Sequence, residues 1–134
     1  MSARFIPAVL LLASLVAAAA GSTRDWKTDD RGVLTAIARA PVKVRAWENP
    51  YAGRPDAVLA GEKLFRQHCA GCHGDDAMGR GHSANLHSPA VQNAAPGELV
   101  WLLRNGNLRA GMPSWSGLPD ERLWQIAAYL KTLR

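Results

Sequence analysis

The sequence predicts an all-α domain, three main helices separated by long loops, on three observations. Apolar residues recur at steps of three and four in three separate segments. No stretch alternates at period two, and no internal repeat is present. The chain between these segments is long and rich in Gly and Pro, above all from Gly71 to Ala95. A compact domain does not carry so long a structureless loop unless the loop wraps something.

The 134 residues suit one domain, but its helices do not begin at the first residue. Arg4 supplies a positive start. Ile6 to Val16 is apolar or small and interrupted only by Pro7, and Ala18 and Ala20 offer an A-x-A cut before Gly21. Residues 1–20 therefore read as a secretory signal peptide. Phe5 to Ala20 is 16 residues, short of the ~20 that span a bilayer. The expectation is an exported chain with no membrane span after cleavage. No cysteine follows the apolar run closely enough to carry a lipid anchor.

Residues 21–54 read as an N-terminal arm or linker. Asp29, Asp30 and Gly32 suggest a turn, Val33 to Ala40 a short helix stopped by Pro41, and Glu48 to Pro55 a loop. Trp26 and Trp47 argue against a wholly disordered spacer. The arm holds seven Lys/Arg against four Asp/Glu, whereas residues 55–134 hold eight against seven. The basic pI of 9.8 thus belongs largely to the arm, and no basic stripe marks a nucleic-acid face. The arm is expected to be dispensable for the fold and to contribute to docking on a partner.

Residues 55–134 form the expected domain. The first helix runs from Pro55 to His68, with Pro55 and Asp56 in its first turn. Val58, Gly61, Leu64, Phe65 and His68 share one face. Gly61 costs ~1 kcal/mol in mid-helix, so it marks a close approach of another backbone. The second helix runs from Pro96 to Asn105, with Leu99, Leu102 and Leu103 as its stripe and Gly106 as its stop. The third runs from Pro119 to about Leu133, with acids first and bases last. Leu123, Ile126, Ala127, Leu130 and Leu133 are its apolar face. Three helices over about 80 residues make a thin core, and domains of this size need a staple.

Cys69-Ala-Gly-Cys72-His73 supplies one. C-x-x-C-H is the attachment signature of haem c. Two thiols three residues apart reach the two vinyl groups of one porphyrin, and the adjacent His73 is held under the iron. A zinc site needs four ligands and finds no second cysteine pair here, although His82 and His87 are available. A redox dithiol belongs in a βαβ pattern, of which there is no sign. A disulfide across so short a loop staples almost nothing. For the second iron ligand, Met112 lies 39 residues after His73 between Gly111 and Pro113, off any helical stripe. Met78 is only five residues from His73, ~17 Å of extended chain, most of which would be used in passing the haem edge and returning over the iron, so Met78 is set aside. His87 is the bis-histidine alternative, and His68 is expected to face solvent or a propionate. A His/Met pair saturates the iron and suits electron transfer.

With these motifs the sequence resembles the small bacterial class I cytochromes c over Asn49 to Leu133. Asn-Pro-Tyr-Ala-Gly (49–53), Ala-Gly-Glu-Lys-Leu-Phe (60–65), Cys69 to Gly74, Gly-Met-Pro-Ser-Trp (111–115) and Ile-Ala-Ala-Tyr-Leu-Lys (126–131) carry the resemblance. It implies the cytochrome c fold, helices and long loops wrapped around one covalent haem. It implies a crossing of the first and last helices at Gly61 and Phe65 against Ile126 and Tyr129. The family's proline after the attachment motif, whose carbonyl accepts the proximal histidine N–H, is missing from Gly81 to Leu86, so the acceptor for His73 stays unnamed. The resemblance implies a periplasmic one-electron carrier, not an enzyme, with a dehydrogenase, a quinol-oxidising complex or a terminal oxidase as partner. The alternatives are a non-diffusing haem subunit of such a complex and a haem enzyme or sensor with an open iron position.

Overall fold

A computed structural model describes residues 26–134, and the expected signal peptide at 1–20 lies outside them. The α-helices are α1 (Trp26–Ala38), α2 (Pro55–His68), α3 (Ala70–His73), α4 (Pro89–Gln92), α5 (Pro96–Asn105) and α6 (Asp120–Leu130). Two 3₁₀ turns, Val42–Ala46 and Leu108–Ala110, lie in the connections. Among the described residues there is no strand, only an isolated antiparallel bridge between Asn107 and Met112. No described helix is long and apolar enough to cross a membrane.

Helices α2 and α5 have the bounds that their end signals predict. Each opens on a proline in its first turn, where the missing N–H costs nothing. In α5 the Glu98 carboxylate accepts the backbone N–H of Ala95 at 2.9 Å, and Gly106 ends the helix at φ +69°. Helix α6 stops at Leu130, about a turn earlier than its stripe suggests. Thr132 N–H bonds back to the Tyr129 carbonyl and Leu133 N–H to that of Leu130, so the last turn tightens, a usual way to use carbonyls that lack helical partners. Leu133 still packs on the core.

The centre of the fold is the pair α2 and α6, the most extensive helix contact in the molecule. A Cβ on Gly61 would lie 2.0 Å from the Gln125 carbonyl oxygen and 2.9 Å from Tyr129 Cβ. The bare glycine lets the two backbones meet. Phe65 is fully buried beside it, its ring 5.4 Å from that of Tyr129. Leu123 and Ile126 of α6 are buried against the same cluster. Burying each such side chain contributes ~1.5–3 kcal/mol.

The arm is where the structure departs most from expectation. The turn anticipated at Asp29, Asp30 and Gly32 is helical, because α1 extends from Trp26 to Ala38. Ala36, Ile37 and Ala40 are buried and Val33 packs beside them, a single face at spacings of three, four and seven. That burial outweighs the cost of Gly32 in a helix. Further on, Val44 is only 1% exposed. Its carbonyl crosses α5 at Gly97, where a Cβ would lie 2.0 Å from it. Arg45 pairs with the buried Glu98 carboxylate at 2.6 Å. Asn49 donates to the Trp124 carbonyl at 2.9 Å. The stretch from Asp30 to Asn49 is packed chain, not a spacer.

Candidate haem site

Helix α2 ends at His68, and Cys69 turns the chain at φ −117°. The single turn α3 follows, with Cys72 and His73 N–H groups both bonded to the Cys69 carbonyl at 3.1 and 2.9 Å. One helical turn therefore puts Cys69, Cys72 and His73 beside one cleft. Its volume is about 460 Å³, and all three residues line it, within the ~300–1,000 Å³ usual for cofactor sites. No disulfide joins the two cysteines, of which Cys72 is exposed and Cys69 half-buried. Burial pushes the Cys69 thiol up to about 11, so at neutral pH it is uncharged.

The imidazole of His73 is held from behind. Its Nδ1 meets the Ala84 carbonyl at 2.9 Å. A carbonyl can only accept, so Nδ1 carries a proton and Nε2 is the nitrogen left to face a metal, the arrangement usual behind a metal-bound histidine. This acceptor is the one the sequence left unnamed. It lies in the segment where the family's proline is missing, and only the folded loop identifies it. The loop is clamped by Gly79 N–H on the His73 carbonyl and by Leu86 N–H on the Ala77 carbonyl, both at 2.8 Å. Gly79 adopts φ +83°, and a Cβ there would lie 2.4 Å from the Ser83 carbonyl oxygen. Glycine is required at this position for both reasons.

Met112 lines the same cleft. Its N–H and carbonyl exchange bonds with Asn107 at 3.1 and 2.9 Å, so the backbone on either side of the 3₁₀ turn is pinned. Gly106 lies against Pro113, where a Cβ would approach the Pro113 carbonyl carbon to 2.6 Å. The Trp115 N–H bonds to the Leu103 carbonyl at 2.9 Å, and the Trp115 ring lies 5.0 Å from that of His68. His68 lines the cleft, its ring tilted 54° to that of Trp115.

Two of the three remaining candidates sit elsewhere. Met78 is 51% exposed and does not line the cleft. His87 donates from Nε2 to the Asp76 carbonyl, 2.9 Å away, and is likewise outside the cleft wall. His82 reaches the rim. Among the described residues no three His, Cys, Asp or Glu side chains form a group able to hold a metal ion.

The cleft fits a haem. Its floor is apolar, from Phe65, Val91, Leu99, Leu103 and Ile126, and two thiols, one backed imidazole and one thioether are among its other lining groups. One wall comes from an unexpected source, the residues Val33, Ala36 and Ile37 of α1. Sequence spacing marks those three as a helical face but says nothing of what the face covers.

The family described as cytochrome c oxidase, cbb3-type, subunit III matches residues 56–130. Cytochrome c550 of Pseudomonas aeruginosa is 31% identical, an alignment that covers 93% of this chain and 91% of that protein. The quinohemoprotein alcohol dehydrogenase ADH IIB of Pseudomonas putida is 31% identical over 104 residues, 76% of this chain but only 15% of the dehydrogenase. The crystal structure of cytochrome CL from the marine methylotroph Methylophaga aminisulfidivorans superposes with a TM-score of 0.56 at 29% identity. That superposition covers 63% of this chain and 58% of the other.

Proposed function

We propose, for a chain that belongs to the c-type cytochromes and carries a covalent haem c in an electron-transfer role, that Cys69 and Cys72 form the two thioethers and that His73 and Met112 are the iron ligands. The observation that carries the reading is the shared cleft. Residues 39 apart in the chain line one apolar cavity beside two thiols, and the histidine among them has its outer nitrogen committed to the Ala84 carbonyl.

When bound, the haem supplies a one-electron ferric–ferrous couple. The chain's own residues do the rest. Ala84 sets the tautomer and plane of His73, so Nε2 is offered without rearrangement. Asn107 fixes the Met112 backbone from both sides. Phe65, Leu99, Leu103 and Ile126 keep water from the ring face. With His73 and Met112 both holding the iron, the bound group would need little reorganisation on gaining or losing an electron, which would suit a carrier. The signal-like pattern of residues 1–20 supports an exported, periplasmic protein. Its partners are redox proteins of the dehydrogenase, quinol-oxidising or oxidase type.

A second reading is a haem subunit that stays bound in a larger complex. The likeness to part of a quinohemoprotein dehydrogenase favours it, whereas the near full-length likeness to cytochrome c550 favours the free carrier. The test of the site is spectroscopic. The oxidised protein is expected to show the weak far-red band of sulfur-ligated low-spin iron, and acid acetone is expected to leave the haem on the chain. High-spin or bis-histidine iron in the wild type would overturn the ligand assignment.

A further inference from the structure

The haem motifs do not supply every wall of the cleft. Val33, Ala36 and Ile37 of α1 close one side of it. We propose that α1 is a strap over the haem cleft, and that Val33 and Ile37 exclude water there and thereby raise the tendency of the iron to stay ferrous. This rests on the reading of the cleft as the haem site, and it replaces the expectation of a dispensable docking arm.

Three separate attachments hold the strap. Ile37 is 6% exposed and belongs to the same buried cluster as Phe65, Leu103 and Ile126, with Val33 packed against it. The outward residues of the same helix, Arg31, Leu34, Thr35 and Ala38, are exposed. Downstream, the Val44 carbonyl lies against Gly97 of α5, and Arg45 is paired with Glu98. Between these, the Arg39 guanidinium donates to the Asn107 side chain at 3.4 Å. Asn107 is the residue whose backbone brackets Met112. The strap is therefore tied to α5 and to the methionine loop, the two parts of the fold that frame one side of the cleft.

The sign of the effect follows from solvation. Ferric haem carries one more positive charge than ferrous haem, and removing water penalises the more charged state. Burial and local dielectric are established levers on haem potential. A polar or smaller side chain at position 33 or 37 admits water and favours the ferric form.

The experiment uses the full-length holoprotein and reads the reduction potential, the far-red band and haem retention together. Val33→Asn is expected to move the ferrous–ferric equilibrium toward ferric by about tenfold, ~59 mV for one electron, with the band and the covalent haem retained. Ile37→Ala should move it the same way and lower the melting temperature. Leu34→Asn, on the exposed face of the same helix, is the control and should leave the potential unchanged. If Val33→Asn does not fold, Val33→Ala decides at the same position, with a smaller shift of the same sign. A potential unchanged in the folded Val33 variant, or an equal shift in Leu34→Asn, overturns the proposal. Failure of the ligand assignment is distinguishable, because it appears as a missing far-red band in the wild type.

Discussion

Single residues carry the chemistry through contacts that their neighbours provide. The Ala84 carbonyl matters to His73 although its own side chain does nothing, and it is in place because Gly79 allows the loop to fold beneath the imidazole. Gly79→Ala is expected to destabilise the protein. A positive φ costs a non-glycine residue ~1–2 kcal/mol, and the new Cβ would also meet the Ser83 carbonyl. A thermal melt of the holoprotein should show a lower midpoint, and the low-spin fraction should fall as the His73 plane loosens. At the other proposed ligand, Met112→Ala is expected to abolish the far-red band, lower the potential and open the iron to carbon monoxide. Axial-ligand identity ranges over ~0.8 V among haem proteins, so the drop should exceed the ~59 mV of a tenfold change. An unchanged carbon monoxide response would remove Met112 from the iron.

Among the elements, two glycines mark the places where backbones touch. Gly61 lets α2 meet α6, and Gly97 lets the Val44 segment lie on α5. Adding a side chain at a packed contact costs ~1–3 kcal/mol. Gly61→Val is expected to destabilise the whole domain, because α2 and α6 form its main helix pair. Gly97→Val is expected to release the segment around Val44 first. Hydrogen exchange should then rise in residues 30–46 before it rises in α2 and α6. A uniform increase across all helices would mean that the arm and the core unfold as one unit. The ion pair of Arg45 with Glu98 points the same way, since Glu98 is buried and also caps α5 through the Ala95 N–H.

For the whole molecule, the core is thin and centred on a cleft. Without the haem, the apolar residues Phe65, Leu99, Leu103 and Ile126 would face water across a cleft of about 460 Å³. A chain without haem must therefore flood or collapse the cleft. The double variant Cys69→Ala, Cys72→Ala is expected to lose its haem in acid acetone, and after extraction to lose its cooperative thermal transition and near-ultraviolet dichroism. A sharp transition retained by the haem-free chain would show a core sufficient without the haem.

Much of this molecule is legible from local chemistry. Pro55 and Pro96 start helices, Gly106 stops one, and Cys69 to His73 names its cofactor, because caps, turns and attachment motifs act within a few residues of themselves. Met112 stood out for the same reason, lying between Gly111 and Pro113 outside any stripe. What the sequence could not determine were contacts between segments distant in the chain. The Ala84 carbonyl is a backbone atom with no residue-type signature, so its bond to His73 exists only in the folded loop. The buried face of α1 was visible as a spacing from Val33 to Ala40, yet the turn signals at Asp29, Asp30 and Gly32 pointed the other way. Burial against the core and the cleft decided between them, since tertiary packing outweighs the fractions of a kcal/mol by which local propensities differ.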